Sequence, residues 1–253
     1  NIENLNETIR QMNYLNKEIF IAIDSIVENN RFKKIQKMLD KIDLKRLDGI
    51  SISNLGMLKF IRDNYNVKIH GDIGLNVFNS LSVDLLNKYG VDSITLSPEL
   101  KISQISDICK NDIMPFETIG YGYLPAMITK YCPTSIIKSC GASKECNTCD
   151  ATYGHLLKDR KEMEFPLKRR DSYTTIYNSQ PLMVLEDLHD IYRRGVDIIR
   201  LDFNIEGEEI SDIQDYYYDY ACGNINKKDI IRLVNKYKNK NGITKGHYFR
   251  GVL

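Results

Sequence analysis

The stretch "KIHGDIGLNVFNSLSVDLLNKYGVDSITLS", residues 68–97, reads as a strand, a helix and a second strand. "KIHGD" (68–72) and "SITLS" (93–97) are short β-type runs, and Val83, Leu85 and Leu86 between them follow a helical spacing. Asn79 or Ser80 can cap that helix, and Gly90 can end it. Such a unit calls for parallel strands joined by a right-handed crossover.

The same unit recurs on both sides. "EIFIAID" (18–24) precedes "RFKKIQKMLDKI", which is apolar at 32, 35, 38, 39 and 42, and "GISIS" (49–53) precedes "NLGMLKFIRDNYN". "FETIGYG" (116–122) follows the helical "KISQISDICKN". Beyond a cysteine-rich segment the pattern resumes with "TTIYNS" (174–179), the helix "PLMVLEDLHDIYRRG" and "DIIRLDF" (197–203). Pro181 suits the first turn of that helix and Gly195 its stop. Strands spaced about 20–25 residues apart predict an α/β fold, a (β/α) TIM-barrel-like architecture lacking its beginning. A doubly wound open sheet is the alternative, although no Gly-rich phosphate loop follows any strand. The expected organisation is a first part of the barrel over 1–130, a cysteine-rich metal-binding insertion over 131–170, and the remainder of the barrel with a C-terminal tail over 171–253. "KYKNKNGITKGHYFRGVL" reads as a polar linker leading to an ordered aromatic end.

With 42% hydrophobic and 27% charged residues and a net charge of +1, the composition is that of an ordinary folded protein. Contact with nucleic acid would have to come from a local patch. No apolar run approaches the roughly 18 residues that span a bilayer, so no membrane partner is expected. The first residues show no initiator Met and no signal pattern, and read as cut from a longer chain. The cytoplasm is the expected compartment.

In a barrel the residues just past each strand line the active-site face. That rule singles out Asp24 and Ser25, Asn54, His70 and Asp72, Ser97 and Glu99, Tyr121 and Tyr123, Asn178, and finally Arg200 and Asp202, while Asn76 and Asn79 just beyond Asp72 could hydrogen-bond a ligand or each other. Asp72, Glu99, Arg200 and Asp202 are the candidates for acid–base or electrostatic roles. His70, Asn76, Tyr121, Tyr123 and Asn178 are the candidates for binding a substrate. Glu99 reads either as a general acid/base or as the partner of a basic residue such as Arg200. "RLDF" puts Arg200 and Asp202 on one face of a strand, as an ion pair or as an anion clamp. The plainer reading of any single member is a helix cap or a satisfied loop.

"YCPTSIIKSCGASKECNTCD" (131–150) holds Cys132, Cys140, Cys146 and Cys149 in a C-x7-C-x5-C-x2-C spacing. Four soft thiolates select zinc or an iron–sulfur cluster, and the spacing alone does not choose between them. Cys109 and Cys222 fall in helical patterns and read as core residues. Beyond the cysteines, Lys158, Arg160, Lys161, Lys168, Arg169 and Arg170 form a basic concentration that reads as an RNA contact or a solvated loop. Neither H-E-x-x-H nor G-x-S-x-G occurs, so the sequence gives little support to a peptidase.

Taken in order, "HGDIGLNVFNS", "VDSITLSPEL", "IGYGYLPAMITKYCP", the cysteines, "LKDRKEMEFPL", "TTIYNSQPL", "RLDF" and "TKGHYFRGV" resemble the U32 peptidase family, also called collagenase-like. The resemblance runs from about residue 49 to the end and is strongest to the C-terminal module of long family members. It implies a barrel-like fold, a 4Fe–4S cluster on Cys132, Cys140, Cys146 and Cys149 with zinc as the alternative, and an N-terminal module in the same longer chain. It implies oxygen-independent hydroxylation of an RNA base, with a collagenase-like peptidase or a non-catalytic RNA-binding or packing module as alternatives. Many relatives carry a cysteine shortly before "IYNS", where this chain reads "RRDSYTTIYNS". Of the four cysteines here, Cys140 carries over least directly.

Overall fold

The computed structural model describes residues 2–137, 155–170, 173–207 and 209–251. The chain divides into two compact units. One comprises residues 1–118, 191–199 and 247–253, the other 119–190 and 200–246.

The first unit alternates strands and helices. Its strands are β1 (Phe20–Ala22), β2 (Gly49–Ile52), β3 (Ile69–Gly71), β4 (Ser93–Thr95) and the start of β5 (Phe116–Gly122). Its helices are α1 (Ile2–Tyr14), α2 (Asn29–Leu39), α3 (Leu55–Asn64), α4 (Ser80–Lys88) and α5 (Ile102–Cys109). Each strand from β1 to β5 pairs in parallel with the next in sequence order. This singly wound order is the one a (β/α) barrel uses. A doubly wound sheet would reverse its order at a switch point, and none of these five strands does so. β2 is buried along its whole length and β5 likewise, as expected for parallel strands covered on both faces.

Side-chain chemistry sets the ends of these elements. Asn54 and Asn79 cap α3 and α4, their Oδ1 atoms accepting from the N–H of Met57 at 2.8 Å and of Ser82 at 2.9 Å. Gly90, two residues past α4, has φ +79°, a left-handed turn that favours glycine. A second device sits where strands begin. Asp48 Oδ2 accepts from the Ile19 N–H at 2.7 Å, Asp92 Oδ2 from Ile69 at 2.8 Å, and Asp197 Oδ2 from Phe116 at 2.8 Å. Each aspartate directly precedes a strand (β2, β4 or β11, the last being Ile198–Asp202) and fixes that strand's register against its neighbour. Ile50, Ile52, Ile61, Ile69, Ile94 and Phe116 are among the fully buried core residues of this unit.

The second unit contains the end of β5, a four-stranded antiparallel sheet, and helices. The sheet has the order β6-β9-β8-β7, formed by β6 (Pro125–Thr129), β7 (His155–Lys158), β8 (Glu164–Arg170) and β9 (Tyr173–Tyr177). A short helix, α6 (Pro133–Ile137), follows β6. β10 (Leu182–Met183) runs antiparallel to the end of β5, and α7 (Leu188–Arg193) begins in this unit. After β11 come α8 (Ile210–Ala221) and α9 (Lys227–Asn241), the latter capped by Asn226.

Three expectations change here. "TTIYNS" is β9 of the antiparallel sheet, with Thr174 opposite both Thr129 and Arg169, and does not join the parallel strands. The helix expected over 181–195 starts only at Leu188; Leu182 and Met183 are spent on the antiparallel pairing with β5, so Pro181 precedes a strand. The "linker" from Lys236 is the last part of α9 up to Asn241, while the aromatic end is ordered, with Tyr248 buried and its hydroxyl 2.6 Å from Thr118. Residues 155–170, expected within an insertion, form β7 and β8. Cys140, Cys146 and Cys149 lie outside the described residues.

Candidate functional site

In the first unit, adjacent parallel strands place a chain of polar side chains inside the protein. Thr95 on β4 donates its hydroxyl proton to Glu117 Oε1 on β5 at 2.7 Å. Thr95 Oγ1 also lies 2.8 Å from His70 Nε2, and the other ring nitrogen, Nδ1, lies 2.8 Å from Ser93 Oγ. With its proton committed to Glu117, Thr95 accepts from His70, so Nε2 carries a proton, and Ser93 Oγ is the partner of Nδ1. His70 Nε2 is also 3.4 Å from Glu117 Oε1. Thr95 is fully buried, and His70 and Glu117 are 8% and 9% exposed. Such a chain holds its members in one arrangement because each buried polar atom needs its partner.

Asp72 ends the same strand as His70. Its Oδ1 accepts from the Ile73 N–H at 2.7 Å and its Oδ2 from Ser51 Oγ at 3.4 Å, so it caps the turn that follows. Asn76 closes that turn in a left-handed conformation, φ +52°, and is exposed. Glu99 is exposed, its backbone N–H donating to Ser97 Oγ at 3.3 Å.

In the second unit, Arg200 and Asp202 do share a face of β11. They form a two-pronged ion pair, Nε to Oδ1 at 2.9 Å and Nη2 to Oδ2 at 3.1 Å. Asn178 accepts from the Ser179 N–H, while its own N–H bonds Leu124. Tyr121 and Tyr123, at the end of β5, line a cavity of about 370 Å³ together with Met183, Glu206, Glu209 and Tyr237. Burial pushes the Tyr121 phenol well up, and the Glu206 carboxylate beside it adds to the shift. Burial, then Glu206 and Glu209, raise Tyr123 in the same direction. Tyr237 is raised by burial and by Glu209.

The basic residues spread over different roles. Lys158 pairs with Glu162 at 3.2 Å and Glu164 at 3.5 Å. Lys168 donates to the Asn204 carbonyl at 2.8 Å, and Arg169 is buried against Thr174 at 3.1 Å. Arg160 is exposed at the β7–β8 turn. Cys132, just before α6, is buried with Sγ 3.0 Å from Thr134 Oγ1. Among the described residues no group of three or more His, Cys, Asp and Glu side chains could hold a metal ion. No helix among them is long and apolar enough to cross a membrane.

Sequence reasoning did not single out Glu117, Thr95, Ser93, Glu206, Glu209 or Tyr237. For Glu117 the signal was present: a carboxylate inside the otherwise uncharged strand "FETIGYG" must find a partner. Glu206, Glu209 and Tyr237 come together only through the packing of α8 and α9, which no short motif announces.

The first unit is a sequential parallel α/β unit with a buried polar chain, and the second carries an antiparallel sheet and a carboxylate-lined cavity. The family model described as "Peptidase family U32" matches residues 1–250, and the chain belongs to that family. Among similar curated proteins, an uncharacterized protease of Methanocaldococcus jannaschii is 28% identical over 109 residues, which are 43% of this chain and 26% of that protein. The protein called tRNA hydroxylation protein P is 27% identical over 109 residues in Haemophilus influenzae, 43% of this chain and 24% of that one. Its Escherichia coli counterpart is 24% identical over 127 residues, 49% and 28% of the two chains. Each alignment therefore takes in about a quarter of the relative's length. A solved U32 peptidase superposes with a TM-score of 0.40 at 13% identity, covering 53% of this chain and 56% of that one.

Proposed function

We propose that this chain is a U32 module serving oxygen-independent hydroxylation of an RNA base, and that Cys132, Cys140, Cys146 and Cys149 hold a 4Fe–4S cluster. The observation that carries the reading is family membership together with two relatives named for tRNA hydroxylation. The donor set fits the cofactor: four thiolates suit an iron–sulfur cluster, with zinc as the alternative. Cys132, the one of the four among the described residues, is a buried thiol with the Thr134 hydroxyl alongside, a contact able to tune a bound thiolate. A cluster would supply one-electron chemistry.

The protein's own residues would serve in other ways. Arg160 and Lys158, on the β7–β8 hairpin, are the cations offered to RNA phosphates. Asp72, Glu99, Arg200 and Asp202 remain the groups proposed to handle charge near substrate, with His70, Asn76, Tyr121, Tyr123 and Asn178 as binding residues. An N-terminal module in the same chain and a cytoplasmic setting belong to the same proposal.

The test is made in cells and on anaerobically purified protein. Iron and sulfide in cluster stoichiometry are expected, and the hydroxylated base should vanish from cellular RNA in the Cys146→Ala/Cys149→Ala variant, read by mass spectrometry. Unchanged hydroxylation would sink the proposal, and zinc in place of iron would sink its cofactor. A peptidase is the second reading, favoured by the Ser93–His70 contact and by the name of the archaeal relative. Gelatin cleavage that survives loss of the two cysteines and disappears in Ser93→Ala would put it first.

A further inference from the structure

Arg169, on β8 of the antiparallel sheet, is a buried cation, only 7% exposed. Its Nη1 donates to Thr174 Oγ1 at 3.1 Å and its Nε has no hydrogen-bond partner. Among the described residues no carboxylate pairs with it. Arg31 and Arg200 show the usual alternative, meeting Asp24 at 3.0 Å and Asp202 at 2.9 Å. A guanidinium cannot shed its charge, so burying it alone is costly, and an anion supplied within the fold offsets that cost.

The sheet register narrows the choice of anion. Arg169 opposes Thr174 on β9, and Thr174 opposes Thr129, the last residue of β6. Directly opposed side chains share a face, and two strand spacings put the Arg169 backbone about 10 Å from that of Thr129. Cys132 follows three residues later, within a chain reach of about 11 Å, and is itself buried at 3% exposed. A phosphate arriving from solvent meets a closed face, since Thr174 is 2% exposed. A thiolate-bound metal centre needs no such entry. Four thiolates outweigh the charge of zinc or of a 4Fe–4S core, so the centre is anionic, and a nearby cation attracts it across a poorly solvated interior without touching it.

We propose that Arg169 is a positioning residue, the buried counter-charge of the metal–thiolate centre that includes Cys132. The inference rests on the thiolate centre of the proposed function, and it holds for iron or zinc and for any substrate.

Anaerobically purified, metal-loaded protein is mixed with excess EDTA, and release of the metal is followed in time. Arg169→Met should release it about tenfold faster or more, the scale of losing an outer partner of a metal site. Arg169→Lys keeps the charge and should stay close to the parent. Arg169→Gln, which can still bond Thr174, should resemble the methionine variant and serves if that one does not fold. With iron bound, the reduction potential should fall in the two neutral variants and hold in Arg169→Lys, because the lost cation favoured the more negative, reduced state. Parental release rates in the neutral variants overturn the proposal. So does equally fast release from the lysine variant, or an iron potential that does not move, since packing alone explains either. Protein that holds neither metal overturns this inference and the cofactor together, whereas absent RNA hydroxylation with these shifts intact overturns only the proposed reaction.

Discussion

Asp92 and Ile69 are bonded to each other twice, the Asp92 N–H donating to the Ile69 carbonyl at 2.8 Å and Asp92 Oδ2 accepting from the Ile69 N–H at 2.8 Å. Asp48 with Ile19, and Asp197 with Phe116, repeat the arrangement. Each pair closes the ladder at the point where a backbone N–H would otherwise lose its partner. Asp92→Ala should lower unfolding free energy by about 1–2 kcal/mol, and Asp92→Asn, which keeps an acceptor, by less. Urea denaturation of the two variants measures the difference.

Thr95 stands between His70 and Glu117 and serves both. Thr95→Val keeps its shape and removes the hydroxyl, leaving a buried carboxylate oxygen and a buried ring nitrogen each short of one partner. The expected loss is about 1–3 kcal/mol, again by urea denaturation. Ser93→Ala, at the more open end of the chain, should cost less.

Burial, with the Asp197 carboxylate adding to it, pushes the Cys109 thiol up to about 12 from its ordinary 9.0. The folded state thus favours the protonated thiol. Its contribution to stability is complete below the unfolded value and falls away as pH climbs from there toward 12. Mild alkylation near neutral pH should leave Cys109 untouched in the native protein while exposed Cys222 reacts, as peptide mass spectrometry would show. Labelling of Cys109 at the rate of Cys222 would contradict the burial.

Gly122 ends β5 with φ +131°, and a Cβ there would lie 2.3 Å from the Asp202 carbonyl oxygen. That contact is backbone, so no side chain can swing aside. Gly122→Ala should destabilise by about 1–3 kcal/mol or more and shift the thermal midpoint accordingly.

Much of the first unit was legible in the sequence because its rules are local. Strands β1 to β5, the Asn79 cap and the Gly90 stop follow from apolar runs and capping chemistry. The aspartate device left a trace as well, in "LDG", "VDS" and "VDI", but a trace whose meaning needs the neighbouring strand. The second unit resisted the same reading. "TTIYNS" has the composition of any strand, and its antiparallel partners are set by contacts with β6 and β8, which periodicity does not encode. "PLMVLEDLHDIYRRG" carries a helical period over its whole length, yet pairing with β5 claimed its first residues. Of the candidate site, Arg200 and Asp202 were found by strand alternation. Glu206 was missed because its surroundings are assembled from segments far apart in the chain.

The chain passes between its two units at 118/119, 190/191, 199/200 and 246/247. On a ribosome, every residue of the second unit has therefore been made before the closing segment of the first. Tyr248 must emerge before Thr118 meets its partner, after a wait of 130 positions. Synthesis thus leaves the first unit unfinished until the whole of the second has been made.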